Sequence, residues 1–158
     1  MKIKRILCCL LCLVLFAALA GCFKNEGSMP FNGDITFHQI QMTIPSEFIR
    51  DSTQSSDDVW LFEQGWYKKT IVVMRRQVQE DPAAFVNAYA EGLQNQGIQS
   101  EVTTFSKMPA VMSSATRENG VFWQELSFIL DGAFYAVALN GGTETEFQAL
   151  VDTISIPS

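Results

Sequence analysis

The sequence predicts an α+β fold: one antiparallel β-sheet of about six or seven strands, sandwiched between helices as an α/β/α arrangement. Three observations carry this. Several stretches hold apolar residues at both parities of a two-residue repeat, the mark of strands buried on both faces. Two other stretches repeat apolar residues at helical spacing. Asn-Gly and Asp-Gly pairs separate successive apolar runs, and such pairs tolerate the positive φ of tight hairpin turns. A sheet that is apolar on both sides must be covered on both sides, and the two amphipathic helices are available to cover it.

Taken in order, residues 35–44 read as a strand. Ile35 and Phe37 share one parity and Ile40, Met42 and Ile44 the other, so a bulge or kink is expected near His38 and Gln39. Pro45 stops the strand, and 51–58 (Asp-Ser-Thr-Gln-Ser-Ser-Asp-Asp) is a polar loop. A short strand over 59–62 turns at Glu63-Gln64-Gly65-Trp66 into a longer one over 67–78. The first helix has Asp81 as its N-cap, Pro82 at its first position and Gly97 past its end. Its apolar face is Phe85, Ala88, Tyr89 and Leu93, widened by Val86 and Ala90. Four strands follow, over 98–105, 109–116, 121–130 and 133–139, with turns at Glu118-Asn119-Gly120 and Asp131-Gly132. Phe122, Leu126, Phe128 and Leu130 oppose Val121, Trp123 and Ile129, while Tyr135, Val137 and Leu139 alternate with Phe134, Ala136 and Ala138. Gly141-Gly142 breaks the chain, and Thr143 with Glu146 makes a capping box that opens a second helix to about residue 153. Phe147, Leu150, Val151 and Ile154 form its stripe.

The start of the chain is of another kind. Lys2, Lys4 and Arg5 precede an apolar run over 6–18, followed by Leu19-Ala20-Gly21-Cys22. A cationic start, a short apolar run and small residues before a processing point make a secretory signal rather than a core helix. The run is also short for a membrane span. Leu-Ala-Gly-Cys resembles the lipobox of bacterial lipoproteins. The resemblance implies diacylglycerol on the Cys22 sulfur, cleavage after Gly21, and a chain held on the outer side of a bacterial membrane. Residues 1–21 are then the signal peptide, 22–34 a lipidated tether rich in turn formers, and 35–158 one domain. Two acyl chains anchor firmly where one does so marginally.

Three of the 11 basic residues and none of the 17 acids precede Cys22, so the chain from Cys22 onward carries a net charge of −9. Such a body repels phosphate backbones and anionic headgroups, and nucleic acid is not an expected partner. All four cysteines lie at positions 8, 9, 12 and 22, which leaves the domain without a disulfide or a thiolate metal site. His38 is the sole histidine. One imidazole, no thiol in the domain and no Gly-x-Ser-x-Gly elbow exclude Cys-His catalysis, ordinary zinc sites and a hydrolase triad of the usual pattern.

The order of elements resembles the PsbP/Mog1-like domain. The resemblance rests on Ile44-Pro45-Ser46-Glu47-Phe48 after an opening strand, a hairpin, a helix after Asp81-Pro82, a strand after Gly97, the meander through Pro109-Ala110-Val111 and Asp131-Gly132-Ala133-Phe134-Tyr135, and a final helix. It covers residues 35–156. It implies the α/β/α sandwich and a binding or assembly-support role, not an enzyme, with no active-site motif to carry over.

The candidate site residues beside Cys22 are aromatic. Trp60, Phe62, Trp66 and Tyr67 crowd one hairpin, and Trp66 and Tyr67 are the candidates for contact with an envelope protein or a glycan. Lys68-Lys69 and Arg75-Arg76 add positive charge on the following strand, although Arg75 and Arg76 point to opposite faces. Asp57-Asp58 beside serines has the chemistry of a calcium ligand without the spacing of a calcium loop. Gly141-Gly142-Thr143 opens a helix, but Glu144 and Glu146 would repel an anion there. No metal or cofactor is expected. The expectation is a membrane-anchored, non-catalytic binding domain. A carboxylate-dependent envelope hydrolase would need an acid pair facing across a cleft, one with a raised pKa. A ligand-capture or immunity-type lipoprotein would need a deep pocket.

Overall fold

The computed structural model describes residues 28–30, 33–65, 69–117 and 120–157. The expected signal peptide (residues 1–21), Cys22, Trp66, Tyr67 and the Glu118-Asn119 part of one expected turn lie outside the described residues. The strands are β1 Ser28–Pro30, β2 Gly33–Phe37, β3 Ile40–Ile44, β4 Ile49–Asp51, β5 Val59–Gln64, β6 Lys69–Gln77, β7 Gln99–Phe105, β8 Met108–Thr116, β9 Phe122–Leu130 and β10 Ala133–Asn140. The helices are α1 Pro82–Gln94 and α2 Glu144–Asp152.

Among the described residues the main sheet has eight strands in the order β1-β4-β5-β6-β10-β9-β8-β7, every pair antiparallel. The α+β class and the antiparallel sheet are as the sequence predicts. α1 begins and ends where expected: Asp81 Oδ1 accepts from Ala84 N–H at 2.9 Å, Pro82 takes the first turn, and Gly97 adopts φ 78°. The chain leaves the middle of the sheet at β6, crosses one face in α1 and re-enters at the far edge as β7, then meanders back through β8 and β9 to β10.

The two faces of the sheet carry separate cores. Val86, Tyr89, Ala90 and Leu93 of α1 pack on Val111, Trp123, Ile129, Phe134, Ala136 and Ala138. On the other face Phe62, Ile71, Val73, Ala110, Leu126, Phe128, Tyr135, Val137 and Leu139 meet Phe147, Leu150 and Val151 of α2. The alternation read in β9 and β10 therefore sorts residues onto the two faces as expected. Each large side chain buried this way contributes about 1.5–3 kcal/mol.

The second cover is not helix alone. Residues 35–44 are not one bulged strand of the main sheet. They belong to a separate hairpin, β2–β3, which packs Ile35, Phe37, Ile40, Met42 and Ile44 onto the same face as α2. The parity switch at His38-Gln39 is its two-residue turn, with His38 at φ 53°. Gln41 of β3 exchanges backbone bonds of 2.8 Å with Ser155, which joins the hairpin to the chain beyond α2. The main sheet instead gains β1 and β4, both three residues long. Residues 28–30 and 33–34, which the sequence places in the tether, lie in strands β1 and β2. Short segments with no apolar period give no strand signal of their own; here pairing with a neighbour supplies it.

Candidate functional site

α2, the end of β3 and the start of β6 enclose a groove of about 210 Å³. The local sequence explains its shape. Pro45 ends β3, and a turn closed by Phe48 N–H to the Pro45 carbonyl at 3.0 Å swings Phe48 inward, where it is buried. The Ile-Pro-x-x-Phe motif thus supplies one wall. Ile71, Leu139 and Leu150 add apolar lining, and Thr43, Glu47 and Thr153 add polar lining.

Lys69 and Glu146 sit at this groove and pair with each other. Glu146 is also the capping-box residue: its carboxylate accepts from Thr143 N–H at 2.8 Å while its own N–H donates to Thr143 Oγ1 at 3.2 Å. The bond from Lys69 and then the backbone bond from Thr143 lower the Glu146 pKa against the pull of burial. Of the aromatic and basic patch read in the sequence, Lys69 is therefore in the groove, and the segment holding Trp66 and Tyr67 directly precedes it in the chain. Trp60 and Phe62 are packing residues. Phe62 is buried, and Trp60 lies edge-on to Phe37 and Phe62 with the Arg50 guanidinium 3.9 Å above its ring.

His38 is structural. Its Nε2 lies 2.9 Å from the Asp57 carbonyl and 3.2 Å from Asp58 Oδ1, and Arg75 Nη1 approaches the same Asp58 oxygen at 3.4 Å. Asp58 Oδ1 is shared between His38 and the Arg75 guanidinium, and the Asp57-Asp58 pair fastens loop 52–58 to the turn of the β2–β3 hairpin. Among the described residues no group of three or more His, Cys, Asp or Glu side chains is placed to hold a metal ion.

Three acids that the sequence analysis did not single out are buried. Asp51 caps its own loop, its carboxylate accepting from Thr53 N–H at 2.8 Å, Thr53 Oγ1 at 2.7 Å and Gln54 Nε2 at 2.7 Å. Burial raises its pKa, but the bonds from Thr53 and Gln54 outweigh it and the net direction is down. Glu63 is shifted up by burial and then by the charge of Asp51. These two acids stand side by side on one face of neighbouring strands, since Ile49 of β4 pairs with Glu63 of β5. They are not opposite walls of a cleft, which is the arrangement the hydrolase alternative requires.

Glu125 is the third acid, fully buried beneath α1. One carboxylate oxygen accepts from Tyr89 Oη at 2.7 Å and from the Ser127 hydroxyl. The other has no partner among the described residues, and neither does the hydroxyl of Ser113, which lies directly across the strand pair. Burial raises the Glu125 pKa, opposed in part by the bonds from Ser127 and Tyr89. The signal was legible: Glu125 occupies an inward parity of a strand that is apolar on both faces. What it bonds to was not, because Tyr89 lies 36 residues away.

No protein-family profile and no curated protein matches the sequence. Solved structures do match by fold. The solution structure of cyanobacterial PsbP (CyanoP) from Synechocystis sp. PCC 6803 superposes with a TM-score of 0.55 at 8% identity, over 87% of this chain and 98% of that one. A crystal structure from Bacteroides thetaiotaomicron VPI-5482 gives 0.51 at 10% identity over 85% of this chain, which spans half the length of that protein. At such identities the likeness is one of fold, and the fold is PsbP-like.

Proposed function

We propose that the chain is a lipid-anchored, non-catalytic binding or assembly-support domain on the outer side of a bacterial membrane, held there by acylated Cys22. The observation that carries this is the overlap with the PsbP-like fold across nearly the whole domain. Two features support it. The lipobox-like Leu19-Ala20-Gly21-Cys22 supplies the anchor. The polar clusters at His38, Asp51 and Glu146 are engaged in holding loops and caps, as structural groups are. The groove beside α2 is smaller than the roughly 300–1,000 Å³ of sites for drug-sized molecules, so it fits a side chain of a partner better than a captured metabolite. Trp66, Tyr67 and Lys69 form the contact patch in this proposal.

The test is made in bacterial cells expressing the full chain. An alkyne fatty acid labels the wild-type protein and leaves Cys22→Ala unlabelled and out of the membrane fraction. A photocrosslinking residue at Glu47, on the groove, captures a discrete partner, and one at Asn87, on α1, does not. Trp66→Ala with Tyr67→Ala lowers that capture at least five-fold. Equal labelling of Cys22→Ala removes the anchor from the proposal, and equal capture from both faces removes the groove.

A further inference from the structure

β7 is an open edge of the sheet. In an antiparallel sheet each residue directs its N–H and C=O to the same side, and successive residues alternate. Arg75 N–H donates to the Asp58 carbonyl, so the odd residues of β6 face β5. Following the registers across β10, β9 and β8 turns Gln99, Glu101, Thr103 and Phe105 toward β8, and Ser100, Val102 and Thr104 outward. An independent bond agrees, because the Ser100 carbonyl accepts from Gln94 Nε2 of α1 at 2.9 Å. Past that cap, no described residue meets the N–H and C=O of Val102 or Thr104. Two donors and two acceptors stand in a row at strand spacing.

Natural sheets blunt such edges with short strands, proline, lysine or bulges. The opposite edge of this sheet does so: β1 has three residues and ends in Pro30. β7 has seven residues, neither proline nor lysine, and the β-branched run Val102-Thr103-Thr104. The Val102 side chain is 43% exposed on the α1 side. Glu101, the sole charge of the strand, is exposed on the other side.

We propose that β7 accepts an extended segment of a partner polypeptide by strand addition, with apolar side chains of that segment against Val102 and basic ones beside Glu101. Main-chain bonds to an edge supply affinity and alternate side chains supply specificity. The basic character follows from Glu101 and from the −9 charge of the chain after Cys22. The same charge repels a second copy of this chain from the edge. The inference does not depend on the lipid anchor or on the groove.

The test uses the full chain in neutral detergent and two capped peptides, Lys-Val-Lys-Val-Lys-Val-Lys and its Glu-for-Lys counterpart. Amide hydrogen exchange is read residue by residue. The basic peptide slows exchange at Val102 and Thr104 at least ten-fold, while the acidic peptide does not. Val102→Pro, which deletes an outward N–H and leaves the bonds to β8 intact, loses that protection with its melting curve preserved. Glu101→Lys reverses the preference between peptides, which keeps the test decisive should the proline variant misfold. Unchanged exchange at the two amides, equal binding of both peptides, or protection that grows with protein concentration in the absence of peptide would each overturn the proposal, the last in favour of self-pairing.

Discussion

Glu125 is the residue whose chemistry differs most from its surroundings. Its carboxyl is fully buried, and the titratable group that faces it is Tyr89 of α1, a hydroxyl donor; the facing positions on β8 and β10 are Ser113 and Ala138. Burial raises its pKa above 4.5, so the folded chain keeps a proton that the unfolded chain gives up. The native state then binds more protons, and stability falls as pH rises above that value until the folded-state carboxyl itself titrates. Glu125→Gln keeps the shape and an acceptor for Tyr89 but cannot ionise. Thermal melts from pH 4 to pH 8 should show wild type losing stability relative to Glu125→Gln, by up to about 1.4 kcal/mol per pH unit within that window. A constant gap between the two proteins would mean that the carboxyl is not held protonated. Asp51, shifted down, acts with the opposite sign and drops out of the comparison because both proteins carry it.

At the scale of the element, turns and caps divide into those written locally and those imposed from a distance. The capping box is local. Removing its hydroxyl with Thr143→Ala should cost about 1 kcal/mol in chemical denaturation. Gly142, just before it, is needed for space: a Cβ there would run into the buried Leu139 side chain. Gly142→Ala should therefore cost about 1–3 kcal/mol through overpacking, with the helix content unchanged by circular dichroism. A neutral result would show that Leu139 has room to move. Asp131-Gly132 was legible as a hairpin turn because its residues suit positive φ, and it adopts φ 48° and 73°. The parity switch at His38-Gln39 suggests only a bulge or kink from sequence, since neither residue is a turn specialist. The turn there is held by partners far away in sequence: Asp57 for His38, and Asp131 and Tyr135 for Gln39. Ser106-Lys107 is a further case, with φ 48° and 69° and no glycine.

For the whole molecule, charge and layering govern. The chain from Cys22 onward carries a net charge of −9 and repels itself, and the repulsion is strongest when salt is scarce. Raising sodium chloride from about 0.01 M to 0.15 M shortens the screening length from about 30 Å to about 8 Å. The melting midpoint should rise over that range and change little between 0.15 and 0.5 M. A fall would mean that attractive ion pairs such as Lys69–Glu146 outweigh the overall repulsion. Layering also decides where a partner can reach. α1 closes one face over β7, β8 and β9, and α2 with the β2–β3 hairpin closes the other. Among the described residues, the groove rim and the edge at β7 stay open. Of the candidate site, the basic and aromatic composition near Lys69 was legible, but its position against Phe48 and α2 was not. Those residues are brought together only by folding, across a separation of 77 residues in the case of Lys69 and Glu146.

The sequence by itself determined the periods: which residues alternate in β9 and β10, where α1 and α2 start, and that a doubly apolar sheet needs two covers. Those properties depend on a residue and its near neighbours, because backbone geometry sets both repeats. Only the tertiary structure decided that 33–44 leaves the main sheet to serve as a cover, that β1 and β4 join it, and that Glu125 faces Tyr89. Each of those outcomes depends on apolar area and hydrogen bonds shared between segments distant along the chain, and no local pattern encodes which distant surface will be there to share them.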